Sequence, residues 1–307
     1  MKVLLAFPQQ DKQTGLFITR AFKQLNCSVI TLDPKIEPHN LFKMIQKNQP
    51  DIIFCSRTPE LLPGISKSKR EYPNIPIGCW NVDVRSSVQQ FGPTLLNLFK
   101  QVDILYTIAI GNINEYQQRC PNTIIKHLQQ GCDPLTHKRE KLTEQDHQKY
   151  DCDVMFAGGY KSTIHHGRIE LIEYLKKQDL NFKLYGYKNH ITDTEQNKAN
   201  RCAKIVLGNS GWPKLGISMS VREYKIMASS GFLLAQYCKD IEYWFKIGEE
   251  CDVYKSKEEC LEKIRYYLEH DYERRCIAEN GYNIVHKNHK YLDRIKIVLK
   301  DLLTLKN

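Results

Sequence analysis

Apolar residues along this chain fall into short runs rich in β-branched side chains, separated by stretches where they recur every three or four positions. Residues 3–7, 28–32, 51–55, 75–80 and 104–110 read as strands, and 15–25 and 40–48 as the helices between them. Such alternation builds a parallel sheet with crossover helices. A polar stretch without apolar periodicity, 129–150, ends in Lys-Leu-Thr-Glu-Gln-Asp-His-Gln-Lys-Tyr and reads as the approach to a domain linker. The alternation then restarts: strands over 153–157, 182–185, 203–207, 232–235 and 252–254, with a loop over 158–167 and helices over 168–177 and 221–229. Two helical segments close the chain, 257–270 and 272–306, the second broken near Asn280-Gly281 and Asn288. The expected fold class is therefore α/β, with two Rossmann-like, doubly wound parallel-sheet domains facing a cleft, because ligands of such sheets bind at the carboxyl ends of the strands.

Composition supports this and removes other classes. A length of 307 residues suits two domains, and 41% hydrophobic with 26% charged residues is a globular balance. The apolar start at Val3 ends by Pro8, too short for an export signal, and no stretch approaches the roughly 20 apolar residues of a membrane span. The 11 cysteines are scattered singly, without a Cys-x-x-Cys pair or a histidine cluster at ligand spacing, so buried thiols in a reducing compartment are expected, with no metal site. The cytoplasm is the expected location. The net charge of +10 implies affinity for polyanions, whether nucleotide phosphates, lipid headgroups at a membrane surface or nucleic acid. It is spread, with 19 Lys+Arg against 13 Asp+Glu in residues 1–150 and 26 against 22 beyond, which is also what a diffuse solvated surface gives.

Candidate chemistry sits at strand ends. The loop from Pro8 to Gly15 precedes the first helix, where backbone N–H groups and the helix dipole can hold an anion or a sugar, or simply turn the chain. The loop Phe156-Ala157-Gly158-Gly159-Tyr160-Lys161 pairs two glycines with a cation, so its backbone can approach a diphosphate; Arg168 follows on the next helix, and a structural Gly-Gly turn is the alternative. Ser218-Met219-Ser220-Val221-Arg222-Glu223 enters another helix, where the serines can cap exposed N–H groups and Arg222 can neutralise a leaving diphosphate, or lie on the surface. Trp80-Asn81-Val82-Asp83-Val84-Arg85 places a carboxylate after a strand; Asp83 can act as general base, cap a helix, or pair with Arg85.

These stretches resemble the CgeB-like, spore-maturation-type glycosyltransferases of the glycosyl transferases group 1 superfamily. The resemblance runs from about Ile124 to the end. His127-Leu128-Gln129-Gln130-Gly131-Cys132-Asp133-Pro134 is similar to that family's interdomain motif, and Asp153-Val154-Met155-Phe156-Ala157-Gly158 to its following strand. The run from Ser220 to Leu234, with Trp244 to Glu250 and Glu273 to Gly281, resembles three later motifs in order. The resemblance implies a GT-B fold: an acceptor-binding domain over 1–135, a linker over 136–150, a nucleotide-sugar-binding domain over 151–285, and a crossover helix over 286–307 returning toward the N-terminal domain. It departs at Lys225, where the family carries a glutamate that bonds the nucleotide ribose, and at Ser230, the first glycine of that family's pair.

What the resemblance implies is metal-independent transfer of a sugar from a nucleotide-diphosphate donor, a UDP- or GDP-sugar, to a hydroxyl of a glycan, lipid-linked or protein acceptor. No other cofactor is expected, and nucleic acid is the lesser candidate as acceptor. Donor contacts are expected from Gly15, Gly158, Gly159, Lys161, Arg168, Ser218, Ser220, Glu223 and Lys225, with Tyr185 and Tyr187 as a base-binding edge. Asp83 and Arg222 are the expected catalytic pair, Asp83 only if the anomeric centre is inverted. Two alternatives share the fold: a sugar-nucleotide 2-epimerase, and a degenerate non-enzymatic protein that binds nucleotide or polyanion.

Overall fold

The protein, described here by a computed structural model, is resolved for description over residues 1–10, 13–85, 87–159, 166–186, 189–209 and 219–306. It divides into two compact units, residues 1–130 with 291–307, and residues 131–290. The first unit alternates β1 (Lys2–Ala6), α1 (Thr14–Gln24), β2 (Ser28–Leu32), α2 (Leu41–Asn48), β3 (Ile52–Ser56), α3 (Leu62–Glu71), β4 (Ile77–Asn81), α4 (Gly92–Gln101), β5 (Ile104–Thr107), α5 (Ile113–Arg119) and β6 (Ile124–His127). The second holds α6 (Glu144–Tyr150), β7 (Cys152–Ala157), α7 (His166–Leu175), β8 (Phe182–Tyr185), α8 (Asp193–Cys202), β9 (Ala203–Gly208), α9 (Val221–Ala228), β10 (Leu233–Gln236), α10 (Ile241–Trp244), β11 (Asp252–Tyr254), α11 (Lys257–Glu269) and α12 (Asp271–Asn288). The last helix, α13 (Tyr291–Thr304), belongs to the first unit.

Both sheets are parallel throughout, in the orders β2-β1-β3-β4-β5-β6 and β11-β10-β9-β7-β8, so this is the two-Rossmann-domain α/β architecture of the GT-B fold. Central strands face helices on both sides, which is why they read as unbroken apolar runs. In β1, Leu4 and Ala6 enter one core with Ile53, Cys79 and Leu105, while Val3 and Leu5 enter the other with Phe54, Trp80 and Tyr106. The second core is closed by α13, whose Tyr291, Ile295, Val298 and Leu302 recur at helical spacing. Gly78 in β4 lets α13 approach, since a Cβ there would lie 3.2 Å from Leu302 Cδ1.

Within the polar stretch 136–150, residues 144–150 form α6, started by a capping box in which Thr143 and Asp146 satisfy each other's backbone N–H groups. Of the two breaks expected in the closing segment, the one after Asn288 is present, while α12 runs through Asn280-Gly281 without interruption. Gly281 serves packing, because a Cβ would lie 2.5 Å from the Glu250 carbonyl oxygen. No described helix is long and apolar enough to cross a membrane.

Candidate functional site

The carboxyl edge of the second sheet gathers the chemistry. β7 ends at Ala157 and runs into Gly158-Gly159, β9 ends at Gly208 before Asn209, and α9 begins at the cap Ser220. In the first turn of α9, Arg222 reaches across these strand ends. Its Nε donates to the Ala157 carbonyl (2.8 Å) and its Nη1 to the Asn209 carbonyl (3.0 Å). Arg168, near the start of α7, donates through Nη1 to the Gly159 carbonyl and through Nη2 to the same Asn209 carbonyl (2.7 Å). Phe156 lies beneath both, its ring centroid 5.1 Å from the Arg222 guanidinium carbon and 5.4 Å from that of Arg168.

Glycine is what lets these groups converge. Gly158 has φ +150°, and a Cβ there would lie 2.4 Å from Arg222 Nη2. Gly186, with φ +143°, in turn passes close to Gly158, where a Cβ would lie 2.5 Å from the Gly158 carbonyl oxygen. Glu223 is buried, and its carboxylate accepts from the Ser220 N–H (2.9 Å) and hydroxyl (2.6 Å), closing a capping box that fixes the helix start carrying Arg222.

The electrostatics are unusual for a protein interior. Both guanidiniums donate to carbonyl oxygens, with Ser220 Oγ as a further Arg222 partner at 3.4 Å, and neither hydrogen-bonds to a carboxylate among the described residues. Arg168 Nε is buried and has no partner there. Burial first, and then the charge of Arg222, push the Arg168 guanidinium down to about 10; burial also lowers Arg222, partly offset by Glu223. Two desolvated cations side by side, hydrogen-bonded to carbonyl oxygens and offset only in part by the Glu223 charge, form a site for an anion.

Lys225, one turn along α9, is largely buried and pairs with Asp193 at 3.6 Å in the first turn of α8. Ser230 adopts the left-handed conformation, φ +68°, that makes glycine the easier residue there. Its hydroxyl accepts from Arg139 Nε (2.9 Å) and Nη2 (2.6 Å).

Of the residues singled out in the sequence, Gly158, Gly159, Arg168, Ser220, Arg222, Glu223 and Lys225 thus belong to this one edge. Lys161, Tyr187 and Ser218 lie outside the described residues. Tyr185 is largely buried, its ring packed against Tyr150 with centroids 6.3 Å apart. Gly15 and Asp83 belong to the first unit. Gly15 is demanded by the loop before α1, where a Cβ would lie 2.1 Å from the Pro8 carbonyl oxygen. Asp83, after β4, forms an ion pair with Arg57 beyond β3 rather than with Arg85, whose guanidinium carbon lies 5.8 Å from the Phe91 ring centroid. Asn209 and Gly186 were not singled out for this role. Asn209 acts through its carbonyl, which no side chain announces, and Gly186 stands as a single glycine between Tyr185 and Tyr187.

Residues 168–300 match the family described as glycosyl transferase-like, a span that starts at Arg168 and includes α9. No curated protein matches the chain by sequence. Solved structures match over nearly its whole length. The HepE protein of Anabaena, solved with UDP and glucose, is 14% identical with a TM-score of 0.68, covering 99% of this chain and 100% of that one. An α-glucosyltransferase solved with UDP-glucose and DNA containing an abasic site is 10% identical, TM-score 0.70, covering 98% of each chain. Sucrose-phosphate synthase from Thermosynechococcus elongatus is 8% identical, TM-score 0.67, covering 99% of each. At these identities the likeness is one of fold.

Proposed function

We propose that this chain is a glycosyltransferase that moves a sugar from a nucleoside-diphosphate donor, bound at the carboxyl edge of the second sheet, to an acceptor hydroxyl. One observation carries the reading: buried Arg168 and half-buried Arg222 converge on the Asn209 carbonyl beside Gly158-Gly159, with no carboxylate hydrogen-bonded to either among the described residues. A diphosphate supplies the missing negative charge. As the glycosidic bond breaks, charge develops on that diphosphate, and preorganised cations in a dry site stabilise it without a metal ion. The match to a glycosyl transferase-like family over 168–300, and the fold shared with proteins solved with UDP or UDP-glucose, support the same reading and make UDP-sugars the first donors to test. Asp83 is the proposed general base if the anomeric centre is inverted, and a hydroxyl of a glycan, lipid-linked or protein acceptor is the proposed nucleophile.

The test is a thermal-shift screen against nucleotides and nucleotide sugars, followed by product analysis with and without acceptor. A nucleotide at about 100 times its Kd stabilises the folded state by about 2.7 kcal/mol. Absence of any shift with uridine and guanosine diphosphates would remove the reading. Product formed without acceptor would point to epimerisation instead.

Gly158→Ala adds a sharper expectation. The new Cβ displaces the Arg222 guanidinium and meets an unfavourable backbone conformation. Calorimetric titration should show UDP binding weakened by at least about tenfold, since a charge-assisted hydrogen bond contributes roughly 1.5–3 kcal/mol. Wild-type affinity in this variant would mean that Arg222 does not contact the nucleotide.

A further inference from the structure

At the opposite, amino edge of the second sheet, three metal-ligating side chains from distant parts of the sequence come together. Asp151 immediately precedes β7 and Cys202 immediately precedes β9, and those strands pair with Cys152 opposite Ala203. The register therefore sets Asp151 and Cys202 beside each other. His147 stands one helical turn before Asp151, with its Nδ1 3.0 Å from Asp151 Oδ1. One ligand atom from each of His147, Asp151 and Cys202 lies within 4.8 Å of the other two.

We propose that His147, Asp151 and Cys202 bind a single Zn2+ ion. Imidazole, carboxylate and thiolate are the zinc donor set, with bonds of about 2.0–2.3 Å that place tetrahedral ligands roughly 3.5 Å apart. The three side chains reach that spacing by small rotations, since His147 and Asp151 are on the surface and Cys202 is half-buried. The sulfur ligand selects against Mg2+ and Ca2+, and a water completes the fourth position. Binding uses a lone pair of the imidazole and one of the carboxylate, and the Cys202 thiol gives up its proton to solvent as its sulfur bonds the ion. The neighbouring Asp146 does not compete as a ligand: its carboxylate is held by Lys198 Nζ (3.0 and 3.1 Å) and the Thr143 hydroxyl (2.8 Å), while its main-chain oxygen lies 3.8 Å from Cys202 Sγ. The ion clips the end of α6 to the end of α8. Its place at the amino edge separates it from the arginine pair, so the proposal stands independently of the sugar-transfer reading.

The experiment is a Zn2+ titration of the full chain, under a phosphine reductant, in competition with a chromophoric chelator. One tight site per chain is expected, with a rise in Tm that EDTA reverses. His147→Ala and Cys202→Ser should each weaken binding by at least about 100-fold, beyond the roughly 10–100-fold lost with outer-shell partners. Cys276→Ser, at an exposed cysteine elsewhere, should leave it unchanged. His147 is at the surface, so its replacement does not threaten folding. No competitive binding, or a site that survives His147→Ala at full affinity, overturns the proposal.

Discussion

Replacing Arg222 with alanine should lower kcat/KM for sugar transfer by about 10²–10³-fold, the range seen when one donor is removed from an oxyanion-binding site. The fold should survive, for reasons visible in its contacts. The Asn209 carbonyl keeps Arg168 Nη2 as a donor at 2.7 Å, so only the Ala157 carbonyl loses a partner from Arg222's two backbone contacts. Against that loss, a desolvated cation beside Arg168 is removed, and the two effects oppose each other within about 1–3 kcal/mol. Arg222→Lys should recover only part of the activity. It keeps the charge, but an ammonium on a flexible stem cannot span the Ala157 and Asn209 carbonyls as a planar guanidinium does. The measurement pairs steady-state kinetics in donor concentration with Tm: a folded Arg222→Ala protein that turns over at the wild-type rate would take the leaving group away from this arginine.

The contrast between what could and could not be read from the sequence follows from where each signal resides. Central strands such as β1, β3, β7 and β9 are buried on both faces, and their apolar runs announce them. The edge strand β6, four residues ending in Lys126 and His127, is half-exposed and has no such run. Helix α8, Asp-Thr-Glu-Gln-Asn-Lys-Ala-Asn-Arg-Cys, is too polar for apolar periodicity to reveal it, although its Thr192 and Glu195 form a capping box. At the candidate site, Gly158 and Arg222 were legible because a glycine pair after a strand and an arginine at a helix start are local patterns. Asn209 works through a backbone carbonyl, and the Lys225–Asp193 pair joins residues 32 positions apart. The scattering of cysteines argued against a metal site by the same local logic. Strand register, which a linear reading does not supply, is what sets Cys202 beside Asp151.

Lys225→Met should destabilise the fold by about 2–4 kcal/mol, because it leaves a largely buried carboxylate without its counter-ion. Asp193 Oδ2 already lacks a hydrogen-bond partner among the described residues, so no other protein donor is in place to take over. The α8 N-terminus, whose first turn holds Asp193, offsets part of the loss through its dipole. The reverse variant behaves differently, and pH separates the two. Burial depresses the Lys225 pKa below its usual 10.5, with Asp193 opposing that shift and Arg222 adding to it. Removing the carboxylate in Asp193→Asn depresses it further. A depressed lysine binds fewer protons folded than unfolded, so stability rises with pH from the folded pKa up to about 10.5. Asp193→Asn should therefore be weakest near neutrality and recover toward pH 10, relative to wild type, when followed by urea denaturation at several pH values. The double variant Lys225→Met/Asp193→Asn should regain most of the stability lost in Lys225→Met, since a buried pair replaced together leaves no isolated charge. Losses that simply add in the double variant would show that Asp193 and Lys225 are neighbours without being coupled.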